Sequence, residues 1–221
     1  MLTSLASAVM AIEPAELDSR IRTLTEKFEV LQHRPEGGIP AETLRRAQGI
    51  ILLETVKGGL VVGYQAGDGV AMVKDTKLKQ WSPAAFVKAN EASFGAQIGG
   101  EQNFYVILLM TTNSPWRLID PKIDFGAGAG GSVNNNTAGV KTTTPADQEV
   151  IVYKDRAGLY GGAVVKGGSI SADVEANRVY YGQDLSMRDI LFDHKVQASS
   201  AASDLAGKIH SYAHGNASAK N

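Results

Sequence analysis

The sequence predicts an α+β fold: a glycine-rich, mainly antiparallel β core, either a sheet or barrel-like, with helices at both ends. Three observations carry this. Residues 103–112 form a charge-free aromatic and aliphatic run. It is too short to cross a bilayer and has no helical polar stripe, so it reads as a strand buried on both faces, with a buried helix as the rival reading. Glycine supplies 24 of the 221 residues and clusters between apolar segments, as tight turns and close-packed strands require. Apolar residues at helical spacing lie near both ends of the chain.

The elements follow in order. Residues 1–11 are mildly apolar and uncharged, with small-residue spacing at Val9 and Ala11. They read either as a frayed or helical terminus or as a signal peptide whose basic start is missing. Glu13 and Pro14 open a helix. In it Leu17, Ile21, Leu24, Phe28 and Leu31 share one face, while Asp18, Arg20, Arg22, Glu26 and Lys27 fill the rest. Its mixed charges suit a core-covering helix better than a membrane-surface one. After a break at 35–38, Pro40 starts a short helix through Leu44 and Ala47.

Strands are expected at 50–53 and 60–64 around a turn at Lys57, and Gly67, Asp68 and Gly69 are expected to make a hairpin before a return through 70–73. Residues 74–79 form a charged connection, and Ser82 with Pro83 is expected to cap a short helix. A further short helix surrounds Trp116, at 114–119. Strands are expected at 123–133, 149–153, 159–165 and 170–181. Ser186 and Asp189 resemble a capping box, and a last helix spans about 196–212 with Leu205, Ile209 and Tyr212. One domain results: an N-terminal segment and amphipathic helix over 1–38, the β core over 39–193, and a C-terminal helix with a loose tail over 194–221.

The formal charge of −1 gives no general attraction to nucleic acid or anionic membrane, so any basic surface must be local. Zero cysteine excludes disulfides, thiolate metal sites and a cysteine nucleophile. Residues 126–131 match G-x-G-x-x-G, but a run of asparagines follows where the chemistry needs a helix opening, so close strand packing is the expected role. His210 and His214 sit four apart and would stack on a helix, without the acid of a zincin between them; titrating surface residues are expected rather than a metal pair. No nucleophile elbow or Walker loop occurs in the sequence. No cofactor and no catalysis are expected. The densest basic cluster is Lys74, Lys77 and Lys79 beside Trp81, with Lys154 and Arg156 as candidates for the same face. Lysines beside an aromatic suit a phosphorylated head group, although Asp75 and Asp155 dilute both clusters.

The landmarks in order are Lys57 to Gly63, Gly67 to Val70, Trp81 to Phe86, Ser93 to Gly99 and Val106 to Met110. Phe125 to Ala127, Tyr153, Gly158 to Gly162, Asn177 and Tyr180 to Gly182 then follow. In this ordered set the chain resembles the SYLF domain, also called the Ysc84 or Las17-binding actin-regulator domain, in its bacterial form, over about residues 39–192. The sequence departs from the family pattern at Phe104, at Arg156 to Gly158 and at Asn134 to Asn136. The resemblance implies a non-enzymatic lipid-binding module that engages anionic, phosphoinositide-like phospholipid head groups at a membrane surface. The alternative it offers is a protein-interaction or scaffold role in the cell envelope or an actin-type cytoskeleton. A periplasmic, secreted or envelope-associated address is implied first and a cytoplasmic peripheral membrane second.

Overall fold

The structure, a computed structural model, describes residues 12–34, 38–58, 63–75, 77–93, 101–124, 149–155, 158–160 and 169–215. The charge-free run forms β5 (Glu101–Leu109), and it pairs antiparallel with β1 (Gly49–Gly58), Gly49 facing Leu109 and Leu53 facing Tyr105. On the other side of β1 lies β2 (Gly63–Asp75), followed outward by β4 (Ala85–Ser93), β9 (Ser169–Ala172) and β6 (Ile123–Asp124). Beyond β5 come β7 (Val150–Lys154) and β8 (Gly158–Tyr160), and the two-residue β3 (Gln80–Trp81) pairs with β2 alone. Among the described residues every pairing is antiparallel and the outer strands β6 and β8 do not meet, so the core is an open sheet.

Alternation along each strand sends side chains to opposite faces, and here both faces are apolar. One carries Ile50, Leu52, Val70, Met72, Phe86, Val106 and Leu108. It is covered by α1 (Pro14–Gln32), α2 (Ala41–Arg46), α5 (Ser200–Ala213) and Ala176 of α3 (Val174–Tyr181). The other face carries Ile51, Leu53, Val73, Val87, Ile107 and Leu109. Leu118 of the 3₁₀ turn Ser114–Ile119 and Met187, Ile190 and Leu191 of α4 (Met187–Leu191) pack over it. Double coverage explains why β5 reads as a continuous apolar run: Val106, Ile107 and Leu108 are all 0% exposed.

Both terminal helices form as the spacing predicts. The five apolar residues of the α1 face are buried, and α5 buries Leu205 and Ile209 behind a Ser199 cap that accepts from the Ala202 N–H. The Ser186–Asp189 capping box is complete. Four expectations are corrected. Gly67, Asp68 and Gly69 do not turn; they lie inside β2, opposite Thr55, Glu54 and Leu53. Their glycines serve close approach instead, since a Cβ on Gly69 would stand 2.3 Å from the Leu52 carbonyl oxygen and one on Gly67 2.8 Å from that of Glu54. Ser82 caps no helix, because the chain from Ala85 joins the sheet as β4. Residues 170–181 are not one strand: β9 ends at Ala172, and the Asp173 carboxylate, accepting from Ala176 N–H, starts α3. The turn expected at Lys57 does not form there: Lys57 and Gly58 continue β1, opposite Gln65 and Tyr64. Residues 59–62, the glycine-rich segments at 94–100 and 125–131, the asparagines 134–136 and residues 1–11 lie outside the described residues.

Asn177, a landmark of the resemblance, has a structural duty. Its Nδ2 donates to the carbonyls of Phe86 and Asp173, both at 2.9 Å, and its Oδ1 accepts from Phe86 N–H at 2.8 Å. One buried amide thereby ties α3 to β4. The Tyr181 hydroxyl donates to the Ala84 carbonyl at 2.6 Å, and burial pushes that phenol well above the ordinary tyrosine range. The Tyr180 hydroxyl bridges Asp18 of α1 and Ser199 at the start of α5, at 2.9 and 2.6 Å.

The close passage of β2 over β1 yields a test. Gly69→Ala forces the strands apart and is expected to cost about 1–3 kcal/mol, the usual penalty of overpacking. Asp68→Ala, on a side chain 61% exposed, should cost well under 1 kcal/mol. Chemical denaturation of the two variants side by side checks the difference.

Candidate functional site

The charged connection after β2 is a tight turn organised by Asp75. Its carboxylate accepts from the backbone N–H groups of Lys77 and Leu78, at 2.7 and 2.8 Å, the mimicry of a backbone turn at which aspartate excels. Its second oxygen stands 2.9 Å from His194 Nε2. The Leu78 N–H bond above all, then the His194 bond, hold the Asp75 carboxyl below the usual aspartate range. Lys79 closes the turn at φ 53, which returns the chain so that Trp81 pairs with Lys74 and Gln80 with Asp75. Ser82 then fastens the return: its Oγ accepts from Val73 N–H at 3.0 Å and donates to the Pro83 carbonyl at 2.8 Å.

This geometry gathers most of the basic cluster. Lys74, Lys79 and the half-buried Trp81 line one cavity of about 350 Å³ at the end of the sheet. Leu44 of α2 and Gln48, just before β1, close one side, and Ile209, His210, Ala213 and His214 of α5 and its C-terminus close the other. Among the described residues, no carboxylate lines it. Lys74 is fixed by donation from Nζ to the Arg45 carbonyl at 3.0 Å. Lys77 falls in a neighbouring cavity of about 290 Å³ that Lys74 also lines, together with Asp75, Trp116 and Phe192. There the exposed Trp116 ring stacks on Phe192 at 4.1 Å, with the Arg188 guanidinium 5.8 Å from its centroid.

Lys154 is not brought to this site. The ladder sets Val73, Gly49, Leu109 and Val150 at one level, and Lys154 sits four residues further along β7, about 13 Å down the strand direction and three strands away. There its Nζ lies 5.8 Å from the Tyr105 ring centroid. Arg156 lies outside the described residues. Conversely, sequence reasoning left His210 and His214 out of the site. Their i, i+4 spacing placed them together, and they do stack, with ring centroids 4.1 Å apart. Only the fold shows that the lysine turn is opposite. His214 Nδ1 stands 2.9 Å from the His210 carbonyl oxygen, so that nitrogen is committed to its own helix. Among the described residues no three histidine, cysteine or acidic side chains are grouped to hold a metal ion, and no helix is long and apolar enough to cross a membrane.

Fold and site together define an α+β domain built on one open antiparallel sheet clad by helices on both faces, with a cationic, aromatic cavity at one sheet end. The profile of Ysc84, described as "Las17-binding protein actin regulator", matches residues 90–212, and the chain belongs to this family. The match runs past Phe192 and takes in α5, beyond the stretch over which the sequence landmarks carried the resemblance. The chain is 27% identical over 158 residues to LAS seventeen-binding protein 3 of Saccharomyces cerevisiae, covering 69% of this chain and 34% of that protein. It is 26% identical over 192 residues to SH3 domain-containing YSC84-like protein 1 of Rattus norvegicus, covering 85% and 56% respectively. The same-named protein of Homo sapiens is 26% identical over 183 residues, covering 80% and 53%. The chain thus spans about a third to a half of the length of these relatives. No solved structure matches it significantly.

The Asp75 turn that displays the lysines carries a pH signature. A carboxyl held below its unfolded value stabilises fully above about pH 4 and loses that contribution as pH falls through its folded value. Asp75→Asn should therefore flatten the acid limb of stability below about pH 4. At neutral pH it should speed amide exchange at Lys77 and Leu78. Acid unfolding curves and site-resolved hydrogen exchange read the two effects.

Proposed function

We propose that the chain is a non-catalytic module that binds anionic, phosphoinositide-like phospholipid head groups at a membrane surface through Lys74, Lys77, Lys79 and Trp81. The observation that supports this best is the convergence of Lys74, Lys79 and Trp81 on one cavity that, among the described residues, no carboxylate lines. Each lysine near an anionic surface contributes about 1 kcal/mol, and the indole is suited to the interface between head groups and chains. Lys154 lies too far along the sheet to join the same contact.

A second reading is a protein-interaction module of a cytoskeletal or envelope scaffold. The yeast relative's name says that it binds LAS seventeen, and the rat and human relatives carry an SH3 domain by name. The exposed Trp116 and Leu78 beside the lysine turn would suit such a contact.

Flotation with vesicles containing anionic or only neutral phospholipid tests the first reading. The wild-type chain is expected to float with anionic vesicles only. Changing Lys74, Lys77 and Lys79 together to Glu should weaken binding at least about a hundredfold without altering the folded spectrum. Equal absence from both vesicle fractions, or unchanged binding by the triple variant, sinks it. Co-sedimentation with filamentous actin in the absence of lipid would support the second reading.

A further inference from the structure

The cavity beneath Lys74 and Lys79 is chemically two-sided. Its floor is apolar, made by Leu44, Trp81, Ile209 and Ala213, and its nitrogen groups come from Lys74, Lys79, His210 and His214. Two of these groups are already oriented. The Lys74 ammonium gives one proton to the Arg45 carbonyl, which leaves two for a ligand. A carbonyl oxygen only accepts, so His214 Nδ1 carries the proton of its bond to His210, and Nε2 donates to an anion in the imidazolium form of the ring.

A flat bilayer surface would use the lysines and the rim of Trp81 and leave the Leu44, Ile209 and Ala213 part of the floor empty. A volume of about 350 Å³ falls instead among small-molecule sites, which run from about 300 to 1,000 Å³. A second cavity of about 440 Å³ shares Trp81 and continues along α5 past Ala202 and Ala206, with Met72 and Leu78 on the sheet side. Among the described residues its lining holds no lysine, arginine or carboxylate, with Gln80, Ser82, His194, Gln197 and Ser203 as its polar members. Cations at one end and a partly apolar wall of Met72, Leu78, Val196, Ala202 and Ala206 running on from them match one ligand shape.

We infer that this site takes up a single anionic amphiphile as a monomer, its phosphate or carboxylate on Lys74, Lys79 and His214 and its alkyl chain on the Leu44–Trp81–Ile209 floor. The inference deepens the lipid reading given above, which it rests on, by naming a captured molecule rather than a contacted surface. Head group and chain contribute separately, so an alkyl phosphate should bind more tightly than phosphate. Burying only two methylenes is worth roughly tenfold.

The test uses the full chain with Trp116→Phe, so that emission reports Trp81. Dodecyl phosphate, dodecanoate, dodecyl maltoside and inorganic phosphate are each titrated below any critical micelle concentration, with anionic-vesicle flotation in parallel. Dodecyl phosphate is expected to shift Trp81 emission and to bind at least about tenfold more tightly than inorganic phosphate, while the maltoside gives no response. Dodecanoate binding as well as dodecyl phosphate assigns the site to anionic amphiphiles generally; weaker binding assigns it to phosphate monoesters, and both support the inference. Gln48→Phe fills the cavity without changing its charge and should weaken dodecyl phosphate at least tenfold while flotation persists. His214→Glu, at the exposed helix end, should do the same to the monomer if the first variant fails to fold. Flotation without any monomer response overturns the captured-amphiphile inference and leaves the surface reading standing. Loss of both overturns both. A monomer response that Gln48→Phe and His214→Glu leave intact removes the ligand from this cavity.

Discussion

The antiparallel ladder between β1 and β5, closed to water on both faces, is the constraint from which the other features follow. Its backbone groups satisfy one another inside the sheet, so they need no solvent. The side chains of Ile50 to Leu53 and Val106 to Leu109 are nearly all fully buried. A strand pair of that kind needs covering layers above and below. α1, α2 and α5 provide one, and α4 with the 3₁₀ turn contributes to the other. The close approach of β2 to β1 at Gly67 and Gly69 is a consequence: backbone packs against backbone where a side chain would have no room.

The same ladder positions the cavity. Gln48 lies directly between α2 and β1, and its backbone N–H donates to Leu109 while its carbonyl accepts from Lys74 N–H. One residue therefore joins the end of the central ladder to the last residues of β2 and to the helix above. From that fixed point Lys74 leaves the sheet, the Asp75 turn doubles back, and Trp81 lands beside Lys74 rather than in solvent. α5 crosses over this end because α1 and α2 share its apolar face, with Lys208 reaching Glu29 at 2.7 Å and Tyr212 packing edge-on to Phe28. The histidines at the C-terminal end of α5 arrive opposite the lysines as a result of core packing, with no local signal of their own.

How much of this was legible in the sequence depended on whether local chemistry or tertiary context decided each element. The α1 face, the buried β5 run, the Ser186–Asp189 box and the 3₁₀ turn around Trp116 were legible, because periodicity and capping are local. Gly67-Asp68-Gly69 was misread because glycine answers to two constraints, positive φ and close approach, and the sequence does not say which one applies. Ser82 before Pro83 carried a helix-start signal that the sheet overrode, since its hydroxyl serves Val73 across the β3 return. Of the site, the cluster at Lys74, Lys79 and Trp81 could be seen. His210, His214 and Gln48 could not, and Lys154 could not be separated from them, because strand register fixes those distances.

Near-neutral total charge and a cationic cavity are compatible because many of the acids are engaged elsewhere. Asp18 pairs with Arg22, Glu29 with Lys208, Glu54 with Lys27, Glu175 with Arg178 and Asp189 with Lys195. Asp75, which in the sequence seemed to dilute the lysines around it, spends its carboxylate on the N–H groups of its own turn and on His194. It lines the neighbouring cavity and not the one that holds Lys79 and Trp81. An acid that shapes the turn is thus what presents the bases. With a Debye length of about 8 Å at physiological ionic strength, an anion near the mouth of that cavity responds to Lys74 and Lys79 far more than to the net charge of −1. Local arrangement, fixed by the end of the β1–β5 ladder, therefore governs what this surface attracts.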